Sequence, residues 1–345
     1  MRYLGQDHSA AAHNLLMPTQ IRFHRTGGPD VLQYDEVPSR KLETGEVRLK
    51  VEAIGLNRAE VMFREGQYTE APILPSSLGY EAAGVIQEVG PGVDGLKPGD
   101  RVATIPAFSM KRYGTYGDSV VLPAAAIAVT PDKLSSVEAA ACWMQYLTAY
   151  MLVEFGDMKA GDDILITAAA SSVGLAAIQI ANACGARPIA TTRNQNKVAA
   201  LLDAGAKFVI NTKESKLVDE VKRLTGGKGA NIIFDPVVGP QLAELCEAAA
   251  QDANIFAYGA LSPEPSPLPL LTGILKCLTF RTYALMIITT HPDRLASAKR
   301  WVLDGLSHGR LKSVIAKIFP FGQMAEAHHF MESNEQIGKI VVTVP

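Results

Sequence analysis

From residue 163 onward the chain alternates short apolar runs with helical ones at a spacing that suits a parallel sheet covered by helices. Extended segments are predicted at 163–167, 187–191, 207–210, 231–234 and 255–258. Helical patterns lie between them at 173–184, 197–204, 216–224 and 241–250. Parallel strands need crossover helices, and those helices bury both faces of the sheet. A loop carrying Pro263, Pro265, Pro267 and Pro269 then leads to a strand near 277–284, a helix at 293–308, a strand at 314–318, a helix at 323–333 and a last strand at 339–344. The part before residue 163 has another rhythm. Residues 46–122 read as β-rich: Val47, Leu49 and Val51 alternate with charged neighbours, and further strands at 84–89 and 100–105 are separated by Gly90-Pro91-Gly92 and Pro98-Gly99 turns. A helical pattern covers 135–155. Regular structure is expected from about Met17, with a short strand at 20–23, and residues 1–16 read as a loose extension without the pattern of a signal peptide.

With 345 residues, two domains are the prior. Lys plus Arg is 33 against 35 Asp plus Glu, a net charge of -2, which argues against nucleic acid or an anionic membrane as the main partner. No apolar run approaches the ~18 residues of a membrane span. The four cysteines, Cys142, Cys184, Cys246 and Cys277, are too far apart in sequence for a metal knuckle or a disulfide framework. A cytoplasmic location is the expectation.

Residues 164–174, Ile-Leu-Ile-Thr-Ala-Ala-Ala-Ser-Ser-Val-Gly, form a strand, a small-residue turn and a helix start. Small residues let the backbone approach a pyrophosphate, whose charge meets the amides of the helix N-terminus. The strict G-x-G-x-x-G is absent, because Ser171 and Ser172 stand at glycine positions. Ser171, Ser172 and Val173 are the candidate contacts. At the end of the next strand a site for NAD usually carries an acid; here Thr191-Thr192-Arg193, followed by Lys197, offers hydroxyls and two cations that suit a 2′-phosphate, so NADPH is expected. Asn211 ends the third strand near the adenosine. The segments 235–239, with Val237 and Val238, and 259–261 (Gly259, Ala260, Leu261) lie at strand ends where open α/β sheets bind ligands.

Asn57 in Gly55-Leu56-Asn57, the 79–84 segment Gly-Tyr-Glu-Ala-Ala-Gly, the 95–102 segment Gly-Leu-Lys-Pro-Gly-Asp-Arg-Val, the phosphate turn and Gly338-Lys339-Ile340-Val341 together resemble the medium-chain dehydrogenase/reductase superfamily. Within it the chain is similar to the zinc-independent NADPH:quinone oxidoreductase (zeta-crystallin-like) branch, over residues 17 to 345. The resemblance implies an α/β fold in which a doubly wound Rossmann sheet (146–286) is inserted into a GroES-like β-rich catalytic domain (19–145 and 287–345), after an extension at 1–18. It also implies a homodimer formed through the strand near 277–284, with Met144, Thr148, Gly338 and Lys339 beside the cofactor.

The zinc ligands of alcohol dehydrogenase relatives fall by position on Asn57, Tyr80 and Met144, which cannot replace two thiolates and an imidazole, so no metal is expected. Cys142 is two residues from its slot. The adjacent His328 and His329 face different ways on a helix. Without a metal, charge arising on a substrate oxygen must be met by preorganised donors. Tyr68 and Tyr80 are the candidates, with Asn57 orienting substrate or nicotinamide ribose, and Glu81 reads as a structural acceptor. The expected activity is NADPH-dependent reduction of quinones or α,β-unsaturated carbonyls. A zinc-free alcohol/ketone oxidoreductase and an NADPH-binding crystallin-like structural protein are the alternatives.

Overall fold

The computed structural model describes residues 17–345, so the expected extension at 1–16 lies outside the described residues. Six parallel strands, Asp163–Ile166, Arg187–Thr192, Phe208–Asn211, Ala230–Asp235, Ala249–Ala257 and Thr279–Thr282, form one sheet. Its order across the sheet is third, second, first, fourth, fifth, sixth. The switch in direction falls between the first and fourth strands, where doubly wound sheets open a crevice at their carboxyl ends. Alternation within single strands builds the two layers. Ile164 and Ile166 face the core shared with helix Ser172–Ala183, whereas Leu165 faces the core shared with helices Leu217–Leu224 and Leu242–Ala248.

The rest of the chain builds a seven-stranded sheet. Its central strand, Glu46–Gly55, pairs with Glu81–Val89, with Ser119–Pro123 and with the last strand, Lys339–Thr343. The register places Gly55 opposite both Glu81 and Val341. The end of one strand and the starts of two others therefore meet at one edge, with Asn57, Glu81 and Lys339 gathered there. Gly55 makes that approach possible: a Cβ would lie 1.9 Å from the Ala140 carbonyl oxygen and 3.0 Å from Lys339 Cε.

Four expectations change. The single helix expected at 135–155 is three short ones, Ser136–Ala139, Trp143–Ala149 and Met151–Glu154. The restart at Trp143 leaves the Met144 N–H without a helical carbonyl, and Glu81 accepts it at 2.9 Å. The helix expected at 241–250 ends at Ala248, because Ala249 is already in register with Ala230. The Pro-rich loop gives way to helix Leu270–Lys276, which stops at left-handed Cys277 and shortens the following strand to Thr279–Thr282. Helix Arg58–Arg64, at seven residues, is too short to announce itself by period.

Candidate active site

The phosphate turn is built as its sequence suggested. Ala168 takes a left-handed φ of +46°, and Ser171 caps helix Ser172–Ala183, its Oγ accepting the Gly174 N–H at 3.0 Å. A Cβ on Gly174 would lie 2.6 Å from both Cα and the carbonyl oxygen of Ala169, so the helix start sits flush on the turn. Asp235 ties the neighbouring strand end in. It accepts the Thr167 hydroxyl and, at 2.7 Å, the N–H of Val238, which is itself held at φ +53°. Leu261 N–H donates to the Pro236 carbonyl at 3.0 Å, so residues 235–239 and 259–261 form one rim, with Gly259 and Ala260 at its edge. Tyr258, stacked on Phe234 at 4.1 Å, buries a hydroxyl that has no hydrogen-bond partner among the described residues. A close-packed helix start, left-handed residues at two strand ends and an unanswered hydroxyl fit a dinucleotide.

The expected adenosine-end residues also gather. Thr192 Oγ1 accepts the Asn194 N–H at 3.1 Å, and Asn211 donates to Gln195 at 3.1 Å. The two cations part company. Arg193 is exposed. Lys197 instead donates to the carbonyls of Asn334 at 2.8 Å and Gln336 at 2.9 Å, and burial lowers its proton affinity. Gly338 lies against the turn, its N–H donating to Ala170 at 2.9 Å.

At the edge where the three strands meet, Lys339 turns inward. Its ammonium donates to Asn57 Oδ1 and to Glu81, and the side chains of Lys339 and Glu81 are each 1% exposed. Asn57 spends its remaining donors on the Gly55 carbonyl at 3.3 Å and on Glu60 Oε1 at 3.1 Å, so its amide is a junction within the protein. Thr148 donates to the Met144 carbonyl at 2.6 Å on the adjoining helix. Tyr68 and Tyr80 stand together, ring centroids 6.4 Å apart, and Phe108 packs on Tyr80 at 5.5 Å. Burial raises the pKa of both phenols, and for Tyr80 the neighbouring Tyr68 adds to it; both stay protonated at neutral pH.

Sequence reading missed Glu60. Its carboxylate accepts the Asn57 N–H, the Asn57 amide, the Tyr80 N–H at 3.1 Å and the Tyr116 hydroxyl at 3.2 Å. The signal was present: Asn57 followed three residues later by Glu60 is a capping-box spacing. His328 is buried in this same network, and His329 pairs with Asp30 at 2.9 Å on the surface.

A zinc ion does not fit these residues. Asn57, Tyr80 and Met144 offer no thiolate or imidazole, and the Lys339 ammonium already lies against Asn57 Oδ1. Among the described residues no group of three or more His, Cys, Asp or Glu converges.

Residues 43–132 match the alcohol dehydrogenase GroES-like domain, and residues 172–299 match the zinc-binding dehydrogenase model, a stretch that contains none of the three slot residues. A quinone oxidoreductase of Salmonella typhimurium is 39% identical over 328 residues, covering 93% of this chain and 98% of that protein. The solved structure of Escherichia coli quinone oxidoreductase complexed with NADPH is similar with a TM-score of 0.85 and 31% identity, over 94% of this chain and 99% of the other. An NAD-dependent alcohol dehydrogenase structure is similar with a TM-score of 0.87 and 32% identity, over 95% of this chain and all of the other.

Proposed function

Because the chain belongs to the medium-chain dehydrogenase/reductase superfamily and to its quinone oxidoreductase branch, we propose that it is an NADPH-dependent oxidoreductase that reduces quinones or α,β-unsaturated carbonyls without a metal. The observation that carries the metal-free part is the Lys339 ammonium seated between Asn57 and Glu81, and the Tyr68 and Tyr80 phenols stay protonated. The division into a Rossmann unit (146–286) and a GroES-like unit (19–145 and 287–345) belongs to the same reading.

NADPH, when bound, supplies the hydride. The capped helix start at Ser171, Ser172 and Val173 would hold the pyrophosphate, the rim at Val237, Val238 and Gly259–Leu261 the nicotinamide side, and Arg193 the 2′-phosphate. The hydroxyls of Tyr68 and Tyr80 would donate to the substrate oxygen on which negative charge grows, and burial keeps their protons available across the neutral range. The Tyr80 N–H is fixed to Glu60, which anchors the backbone that carries the phenol. A homodimer is part of the proposal. Helix Leu270–Lys276 exposes Leu270, Leu271, Ile274 and Leu275, each at least 63%, beside the edge strand Thr279–Thr282, and an interface would cover them. No described helix is long and apolar enough to cross a membrane, and a cytoplasmic location completes the reading.

The test mixes EDTA-treated protein with NADPH or NADH and a benzoquinone, a cyclic enone, an aldehyde or a secondary ketone, following absorbance at 340 nm with product identification. Turnover of quinone or enone with NADPH, weak turnover with NADH and indifference to EDTA are expected. Activity lost in EDTA and restored by zinc would overturn the metal-free reading, and reduction of the ketone alone would overturn the substrate class.

A further inference from the structure

Helix Arg58–Arg64 carries Glu60 and Arg64 one turn apart, and both side chains are fully buried. A hydrogen-bonded chain runs between them through two distant residues. Arg64 Nη1 lies 2.8 Å from His328 Nδ1, His328 Nε2 lies 3.0 Å from Tyr116 Oη, and Tyr116 Oη lies 3.2 Å from Glu60 Oε2. A guanidinium can only donate, so His328 Nδ1 must accept. The imidazole proton is then on Nε2 and donates to Tyr116, whose own hydroxyl proton is left to donate to Glu60. The whole chain points one way, toward the carboxylate. Burial and the positive charge of Arg64 push the His328 pKa down to about 3, consistent with that neutral tautomer.

Every group around Glu60 is therefore a donor: two backbone N–H groups, the Asn57 amide and the Tyr116 hydroxyl. A proton added to Glu60 needs an acceptor. The backbone groups cannot supply one. Tyr116 can accept from Glu60 only by aiming its own proton elsewhere, and its other partner, His328 Nε2, already carries a proton because Arg64 holds Nδ1 as the acceptor. The Asn57 amide alone can rotate and present its oxygen, and in doing so it swings Nδ2 toward the Lys339 ammonium and breaks the Lys339 to Asn57 bond.

We propose that Glu60 is a positioning residue of the reductase site: protonating its carboxyl flips the Asn57 amide, detaches Lys339 from Asn57 and lowers turnover. The inference rests on the proposed activity only for its turnover arm. The charged and titratable groups facing Glu60 are Lys339 from the last strand, with Glu81 behind it, Tyr80 and Tyr116 from the loops, Tyr68 across from Tyr80, and Arg64 through His328. Burial raises the Glu60 pKa to about 7, against the lowering pull of Lys339 and the donors, so the change falls within an accessible range.

Two measurements need no catalysis. The infrared difference between pH 6 and pH 8 should show a protonated-carboxyl band that is missing in Glu60→Gln, and the Asn57 side-chain amide resonance should move with the same midpoint. In the quinone assay, kcat should fall on the acid side with that midpoint. Glu60→Gln should be at least tenfold slower with no acid limb in this range, while its NADPH affinity stays within twofold. Tyr116→Phe removes one donor to the carboxylate and should move all three midpoints upward by about one pH unit; it also serves if Glu60→Gln does not fold. An Asn57 resonance that ignores pH, or a Tyr116→Phe midpoint that does not move, overturns the proposal. A normal spectroscopic titration in a protein that reduces no quinone or enone would instead overturn the proposed function.

Discussion

Replacing Lys339 with Met tests the junction most directly. Lys339 and Glu81 are each 1% exposed, so neither charge has water to fall back on. Methionine has nearly the length of the lysine stem and keeps its packing, so the change removes the ammonium with little lost volume. Among the described residues Glu81 is left with only the Met144 N–H, at 2.9 Å, as a donor, and Asn57 Oδ1 loses its partner. Breaking a buried pair by removing one member costs about 3–5 kcal/mol, because the survivor is an uncompensated buried charge. Adding Glu81→Gln removes that charge while keeping an acceptor for Met144. The double variant should therefore recover most of the loss, leaving about 1–2 kcal/mol for the unpaired amide oxygen. Urea unfolding at pH 8, followed in parallel by circular dichroism and by Trp143 and Trp301 fluorescence, measures all three proteins. A loss below about 1 kcal/mol for the single variant, or a double variant no better than the single, would refute the claim that Glu81 is held by Lys339.

Arg193→Ala should weaken NADPH binding about 10- to 100-fold, the scale of one lost charge-assisted phosphate contact, while leaving NADH binding unchanged; titration calorimetry with both nucleotides checks it, and equal losses would remove Arg193 from the 2′-phosphate site. His328 has a folded pKa pushed down to about 3 from 6.5, so the stability it contributes is present above about pH 6.5 and is lost as the pH falls toward 3, by roughly 4–5 kcal/mol. His328→Gln can still accept from Arg64 and donate to Tyr116 but does not titrate. Its acid unfolding should begin at lower pH than that of the wild type, and an unchanged acid limb would show that His328 does not drive it.

How far the sequence could be read follows from the range of the interactions. The crevice of the parallel sheet was legible because each part is local. Ile164, Leu165 and Ile166 alternate within one strand, and Ser171 reaches only to Gly174. Where locality failed, so did the reading: Ala249 belongs to a strand because Ala230 is beside it, a fact no helical period in 241–250 contains. The junction is harder still. Lys339 and Asn57 are 282 positions apart and His328 and Arg64 are 264 apart, and only the register of three strands brings the first pair to one edge. Resemblance to relatives put Lys339 near the cofactor, yet it could not say which way the ammonium turns. That direction depends on Gly55, whose missing side chain leaves space beside Lys339 Cε, and on Glu81, which needs a cation because it is buried. Glu60 was overlooked for the opposite reason. Its three-residue spacing from Asn57 is a local signal, but a capping glutamate is ordinarily solvated, and nothing nearby in sequence says that Tyr116 and the Tyr80 backbone close over it. Burial makes a helix cap into a titratable part of the site.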